Sequence, residues 1–344
     1  MLDDLKFIHE KDAQDALGIA GKQDQQLSYQ FELNWQPDHT QKIENIVFAG
    51  MGGSALAAHL STTWPGYDVP FEIVRNYAIP AYVGPNTLFI ASSYSGNTEE
   101  TLEALQNAET AGAQIAVISA GGKLADAAKA KNYPLLQLPE GFQPRFATLY
   151  NLKALMTLMD AAKITQNAAQ TLEKQADFVR TATANWRPDV ATKQNHAKQL
   201  ALDIVGKTAI IYAGNLLAPA AYKWKISFNE NAKNLAWCNT LPEYNHNEIL
   251  GWVSHPIDKP FAVIDLRSNQ EHPRTQKRFE ITDKLLSGKR PSPLVVQAEG
   301  DDMLQQMLWT IILGDFVSLY VALLNGLNPT PVELIEKLKA ELAK

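Results

Sequence analysis

Cysteine is almost absent from this chain: Cys238 is the only one in 344 residues. A single thiol forms neither an intrachain disulfide nor a CxxC metal clip, so a reducing cytoplasm is expected and structural zinc gains no support. No G-x-x-x-x-G-K-[ST] sequence occurs anywhere, which argues against a nucleoside triphosphate as ligand. Basic clusters are missing as well. With Lys+Arg 31 against Asp+Glu 37, a formal net charge of −6 and a pI near 5.7, no nucleic-acid partner is expected. The first residues, MLDDLKFIHEKDAQDAL, carry charges where a secretory leader needs an apolar core, which again favours the cytoplasm. Long hydrophobic runs are equally scarce. Met303 to Leu324 comes nearest to a membrane span, but Gly314, Asp315 and Ser318 interrupt it and flanking basic anchors are lacking. It is expected to be a buried core helix, with no membrane partner.

What is present is an ordinary globular composition, 46% hydrophobic and 20% charged, in a chain long enough for two domains or one doubled unit. Residues 1 to about 40 read as amphipathic helical preamble. Apolar runs with strand character then recur at Ile46–Ala49, Phe71–Val74, Thr87–Ile90 and Ile115–Ile118, with helical patterns between or after them. Such alternation predicts an α/β fold, a parallel sheet covered on both faces. A helix near 146–162 and a polar, alanine-rich helical bridge over 165–205 follow. The opening device then returns: Thr208–Ala213 ends at Gly214 before a helix from Pro219, with further strands at Phe261–Ile264 and Pro293–Val296. The chain reads as duplicated, with domains 1–160 and 161–344.

Two turns carry the binding chemistry. Gly50-Met51-Gly52-Gly53-Ser54-Ala55 follows a strand and opens a helix, so its backbone N–H groups and the helix dipole suit an anion. It also fits the dinucleotide pattern G-x-G-x-x-A, although the second strand ends at Arg75-Asn76 without the acid that would hold a ribose. A tight turn without ligand is the bland reading. Ser93-Tyr94-Ser95-Gly96-Asn97-Thr98-Glu99-Glu100-Thr101 brings three hydroxyls and a glycine to the start of a helix, a set of donors for a phosphomonoester. Against it stands plain helix capping by Thr98. Arg145 offers a fork of donors to an oxyanion, where an isolated arginine is more often a surface ion pair.

Lys223 to Trp252, KWKISFNENAKNLAWCNTLPEYNHNEILGW, is the stretch with acid–base character. Glu230 sits in Asn229-Glu230-Asn231-Ala232-Lys233, on a helical face with Ser227 and Lys223, and Lys233 is an adequate ion-pair partner for it. His246 sits in Asn245-His246-Asn247-Glu248, where a lone histidine is ordinarily a surface hydrogen-bonding residue; His255 beside Pro256 reads as that ordinary case.

These motifs, in this order, resemble the bifunctional phosphoglucose/phosphomannose isomerases of the sugar-isomerase (SIS) superfamily, from Ile46 through Asp315, Tyr320, Gly326, Asn328-Pro329 and Leu338-Lys339. The resemblance implies two SIS domains, each a parallel sheet flanked by helices in a flavodoxin-like three-layer sandwich, in a homodimer with its active site at the subunit interface. It implies reversible isomerisation of a hexose 6-phosphate through a cis-enediol, with no cofactor and no metal. Gly52, Gly53, Ser54, Ser93, Ser95 and Thr98 then correspond to the phosphate site and Arg145 to the group that steadies the enediolate. Glu230 corresponds to the base between C1 and C2, and His246 to the ring-opening group, acting in its own or the neighbouring subunit. Lys339, or Lys337 close by, corresponds to a lysine at the ring oxygen. Tyr244 departs from the aliphatic residue expected before Asn-His-Asn. Two other readings stay open: a non-catalytic phosphosugar regulator and a nicotinamide-dependent dehydrogenase. An amidotransferase would need an N-terminal cysteine, a position Cys238 does not occupy. Preference between C2 epimers is left undetermined.

Overall fold

A computed structural model describes residues 1–33, 35, 42–253 and 260–342. Helices α1 (Leu5–Lys11), α2 (Ala16–Ala20) and α3 (Gln23–Leu27) come first. They lead to β1 (Asn45–Ala49), α4 (Leu56–Thr63), β2 (Phe71–Val74), β3 (Thr87–Ser92), α5 (Glu99–Thr110), β4 (Gln114–Ser119), α6 (Gly122–Lys131), β5 (Leu135–Gln137), α7 (Thr148–Ala161) and α8 (Ala168–Glu173). Next are α9 (Ala176–Ala184), α10 (His196–Ile204), β6 (Thr208–Ala213), α11 (Ala218–Glu230) and β7 (Ala236–Thr240). The chain closes with β8 (Phe261–Arg267), α12 (Pro273–Leu285), β9 (Leu294–Gln297), α13 (Met303–Leu324) and α14 (Glu333–Leu342).

Two compact units result, Gln23–Asp177 and Met1–Lys22 with Phe178–Lys344. This division differs from the one expected at 160/161, for two reasons visible in local bonding. Residues beyond 162 fold back on α7: the Asp160 carboxylate accepts from Ala168 N (3.0 Å) and Ala169 N (2.9 Å), and Lys153 Nζ reaches Ala169 O at 2.6 Å. The preamble joins the second unit instead. Asp12 caps α2 through Ala16 N and Leu17 N, both 2.8 Å, and buried Lys198 on α10 reaches Asp3 at 3.2 Å.

The N-terminal unit holds a five-stranded parallel sheet in the order β2-β1-β3-β4-β5. The C-terminal unit holds a four-stranded parallel sheet, β7-β6-β8-β9, which repeats the first four positions of that order. The duplication expected from the sequence is therefore present in the strand order. Central strands are buried on both faces, so they read as unbroken apolar runs; all six residues of β3 are buried. On one face of the first sheet Val47, Phe89 and Val117 pack with Leu105 of α5 and Leu124 of α6. Apolar area removed from water on this scale, at roughly 25 cal/mol per Å², is what holds each sheet to its helices.

Helix α13 is long and apolar enough to cross a membrane, yet 94% of its most apolar window is buried inside the protein. Its interruptions are explained by α11. Asp315 forms a buried ion pair with Lys223 and accepts from Ser227 Oγ at 3.0 Å. A Cβ at Gly314 would stand 2.3 Å from Trp224 Nε1, and that indole donates to Thr310 O at 2.7 Å. Lys223 and Ser227, expected beside Glu230, thus serve the packing of α11 on α13.

Candidate active site

Three loops leave the carboxyl ends of β1, β3 and β4, at the switch point where parallel sheets of this order bind ligands. In the first loop Gly52 has φ +49°, a left-handed conformation that glycine adopts without strain. Gly53 has a different reason: a Cβ there would lie 2.8 Å from both Pro144 C and Arg145 N. Its lack of a side chain lets the 3-10 turn Pro144–Phe146 press against the loop. Arg145, in that turn, is 1% exposed, and its guanidinium lies 4.5 Å above the Phe146 ring. Gln26 of α3 supports the turn from behind, donating to Phe146 O at 2.7 Å.

The second loop is bound to the first and internally braced. Ser54 Oγ accepts from Tyr94 N at 3.0 Å. Ser93 Oγ lies 2.8 Å from Thr98 Oγ1 and accepts from Gly96 N at 3.1 Å. Thr98 stands at the N-cap of α5 yet makes no side-chain cap bond, so the capping explanation of this threonine fails. Ser95 is exposed, its Oγ accepting from Asn97 N at 3.3 Å. Tyr94 OH donates to Pro139 O (2.7 Å) and accepts from Phe142 N (2.9 Å), tying this loop to the segment before Arg145; burial raises its pKa.

The third loop, Ser119-Ala120-Gly121-Gly122, went unrecognised in the sequence. A Cβ on Gly96 would stand 1.7 Å from Gly121 O, and one on Gly122 would stand 2.4 Å from Ser95 O. Ser119 Oγ is 2.7 Å from Ser93 O and 2.8 Å from Gly121 O. The available signal was the recurrence of a strand ending in Ser-Ala-Gly-Gly, a variant of the first turn. The structure thus brings Gly52, Gly53, Ser54, Ser93, Ser95, Thr98 and Arg145 together in one unit.

Glu230, His246 and Lys339 belong to the other unit. Glu230 is the last residue of α11, half-buried. Just beyond it Lys233 has φ +52° and sends its ammonium to Glu230 O (2.7 Å) and Pro329 O (2.8 Å), so the Asn328-Pro329 loop lies beside this helix end. Asn231 donates to Ser318 Oγ of α13 at 2.9 Å.

His246 is exposed at the end of a 3-10 turn, Glu243–His246, that follows β7. Its loop is fastened on both sides. Asn245 donates to Thr282 Oγ1 on α12 at 2.8 Å. Glu248, another residue whose part the sequence did not disclose, accepts from Tyr212 OH at 2.5 Å and from Asn239 Nδ2, while Trp252 Nε1 donates to Tyr212 OH at 3.1 Å. Tyr244 fits this cluster as an aromatic: it is 1% exposed and its ring centroid lies 4.4 Å from that of Tyr212.

Glu230 and His246 stand at opposite ends of the second sheet. Helix α11 returns from the carboxyl end of β6 to the amino end of β7, where Glu230 remains; His246 comes after the carboxyl end. Between them runs β7, five residues, or roughly 15 Å of strand. Lys339 lies on α14, of which no residue is buried, and its ammonium pairs with Glu336 at 2.9 Å. Lys337 is exposed on the same helix. His255 lies outside the described residues. Among the described residues no three His, Cys, Asp or Glu side chains converge as metal ligands would.

The corresponding turn of the second sheet is filled. Glu271 Oε2 accepts from Leu216 N at 3.0 Å, and a Cβ at Gly214 would stand 2.2 Å from that oxygen. A protein carboxylate thus lies in the turn of the second sheet that corresponds to the glycine loop after β1.

Two parallel sheets of matching strand order, one with a serine- and glycine-lined switch point, define an SIS-type sugar-phosphate protein of two domains. Residues 193–342 match the family described as bacterial phospho-glucose isomerase C-terminal SIS domain. The chain is 36% identical over 306 residues to the bifunctional phosphoglucose/phosphomannose isomerase of Caldicellulosiruptor bescii, covering 88% of this chain and 90% of that one. It is 37% identical over 233 residues to a D-glucosamine-6-phosphate 4-epimerase of Sulfolobus acidocaldarius, covering 64% and 70%. The fold is similar to the crystal structure of a glucose-6-phosphate isomerase like protein from Thermus thermophilus, with TM-score 0.66, 17% identity and 98% of each chain covered. The chain belongs to the bifunctional phosphoglucose/phosphomannose isomerase family.

Proposed function

We infer that this protein is an aldose–ketose isomerase that interconverts glucose 6-phosphate, fructose 6-phosphate and mannose 6-phosphate through a cis-enediol. One observation carries the reading beyond family membership: Thr98 turns its hydroxyl to Ser93 instead of capping α5, leaving the amino end of a twelve-residue helix directed at the braced serine loop. Backbone donors and the positive end of a helix dipole suit a phosphomonoester dianion. In this reading Gly52, Gly53, Ser54, Ser93, Ser95 and Thr98 hold the phosphate.

The chemistry follows from the acidity of a sugar carbon. Glu230 takes the proton from C2 of the aldose as the C1–C2 double bond of the enediolate forms and O1 takes up the charge, the hydroxyl proton passes from O2 to O1, and the proton on Glu230 returns at C1 as the C2=O bond of the ketose forms. Arg145, already desolvated, stabilises the negative oxygen; general-base and electrostatic terms of this kind each contribute on the order of 100-fold or more. His246 transfers the proton that opens the pyranose ring, with Lys339 at the ring oxygen. The conversion is redox-neutral within the sugar, so the reading includes no cofactor. Because the enediol has no stereochemistry at C2, return of the proton on either face gives glucose or mannose 6-phosphate. The separation of Glu230 from His246 across β7 supports a homodimer in which one copy's His246 serves the other copy's site. Burial of α13 supports a cytoplasmic enzyme.

Replacing Glu230 by Gln keeps the shape and removes the base. Coupled assays on each sugar phosphate should show turnover reduced about 100- to 10,000-fold with sugar-phosphate binding retained; wild-type turnover in Glu230→Gln would sink the assignment. Binding without turnover in the wild-type protein would favour a phosphosugar regulator instead.

A further inference from the structure

Tyr212 of β6 and Asn239 of β7 stand opposite each other in the parallel register of the second sheet, so their side chains leave the same face of it. Both donate to one carboxylate. Tyr212 OH reaches Glu248 Oε1 at 2.5 Å, and Asn239 Nδ2 reaches Glu248 Oε2. Neither donor can turn away without loss. Asn239 Oδ1 already accepts from Thr240 N at 2.8 Å, which fixes the direction of its amide nitrogen, and Tyr212 OH accepts from Trp252 Nε1 at 3.1 Å. Burial, and then the bond to Glu248, raise the pKa of the Tyr212 phenol, so it keeps its proton and remains a donor. Two fixed donors call for a residue with two acceptor oxygens, which a carboxylate has and an amide lacks. Glu248 stands two positions beyond His246. On the other side of the histidine, Asn245 donates to Thr282 Oγ1 of α12 at 2.8 Å and accepts from Arg278 Nη1 at 3.3 Å. His246, itself exposed, thus lies between one residue anchored to the sheet and one anchored to a helix.

We propose that Glu248 is a positioning residue for ring opening: its carboxylate, held by Tyr212 and Asn239, fixes the turn from which His246 acts on the cyclic sugar. The proposal rests on the reading of His246 as the ring-opening group. Glu248 touches no substrate in it, since both of its oxygens are engaged with the protein. In ring opening the hydroxyl at C1 loses its proton, the C1–O5 bond breaks as the C1 carbonyl forms, and O5 takes up a proton. Reclosure on either face of C1 interconverts the α and β anomers while the proton on C2 stays in place. Anomer exchange therefore reports the step assigned to His246 and is independent of the carbon base. A loosened turn should slow this exchange and leave the phosphate loops of the first sheet as they are.

The test is made in Glu230→Gln protein, where isomerisation is removed and anomer exchange remains. Exchange nuclear magnetic resonance spectroscopy of glucose 6-phosphate should show the two anomers interconverting faster with this protein than in buffer. Adding Glu248→Gln should lower that acceleration about 10- to 100-fold, with sugar-phosphate affinity and the circular dichroism spectrum unchanged. Tyr212→Phe, which removes one of the two donors, should also lower it. Combining it with Glu248→Gln should add little more, because the two side chains act as one unit. Exchange that is unchanged by Glu248→Gln overturns the proposal, and so does a fall matched by an equal loss of sugar-phosphate binding, the mark of a merely structural role. His246→Asn in the same background tests the underlying reading. If it abolishes the acceleration and Glu248→Gln does not, His246 keeps its role and the positioning by Glu248 is wrong. If His246→Asn changes nothing, or Glu230→Gln protein never exceeds the buffer rate, the reading and the proposal fall together.

Discussion

Ser54, Ser93 and Thr98 each use part of their hydrogen-bonding capacity on the protein itself, Ser54 on Tyr94 N and the other two on each other. A hydroxyl that is already fixed loses little rotational freedom when a ligand arrives, so the loop presents its donors in one arrangement. Arg145 differs: at 1% exposure its charge is held away from water, where its electrostatic interactions are stronger than at the surface. A buried titratable group outside the proposed chemistry is His59 on α4. Burial, with some repulsion from Arg75, lowers its pKa from 6.5 to about 4. The folded protein therefore keeps it neutral while the unfolded chain binds a proton below about pH 6.5. This contribution to stability is complete above pH 6.5 and is lost as the pH falls towards 4, to an extent of about 2–3 kcal/mol. The drop in melting temperature between pH 7 and pH 4.5 should be smaller for His59→Gln than for wild type; equal drops would contradict this.

Among elements, the glycine loops show how close packing rather than ligand contact fixes a residue. Gly53→Ala places a methyl 2.8 Å from the backbone at Pro144 and Arg145, so the turn holding Arg145 must move. A misplacement of this size should lower kcat/KM on the order of 10- to 100-fold. Gly52→Ala meets nothing within 4 Å and bears only the strain of φ +49°, so a smaller effect is expected. Steady-state kinetics of the two variants decide the matter, and equal effects would show that contact with Arg145's turn is unimportant. The sequence disclosed the first two loops because glycine and serine are conspicuous after apolar strands. It did not disclose β5, only three residues long, or β7, whose Ala-Trp-Cys-Asn-Thr has neither alternation nor a β-branched run. Glu248 and Glu271 were hidden for a different reason: their partners, Tyr212 and Leu216, are 36 and 55 residues away. The acid and histidine of 223–252 looked like neighbours because only 16 positions separate them, yet a strand lies between.

At the scale of the whole molecule, duplication has produced two sheets of the same order with different fates. The first has glycine- and serine-lined loops at its switch point. In the second, Glu271 closes the equivalent turn, and the 3-10 turn that follows β7 carries His246. The relative named as a 4-epimerase shows that similar sequences accompany chemistry at another carbon, so the carbon that exchanges its proton is the discriminating quantity. The most direct measurement is a nuclear magnetic resonance time course of fructose 6-phosphate with the enzyme in deuterium oxide. Glucose and mannose 6-phosphates should both appear, with deuterium entering at C2 and the configuration at C4 unchanged. Aldose formed with no deuterium at C2, or inversion at C4, would contradict an enediol generated by Glu230.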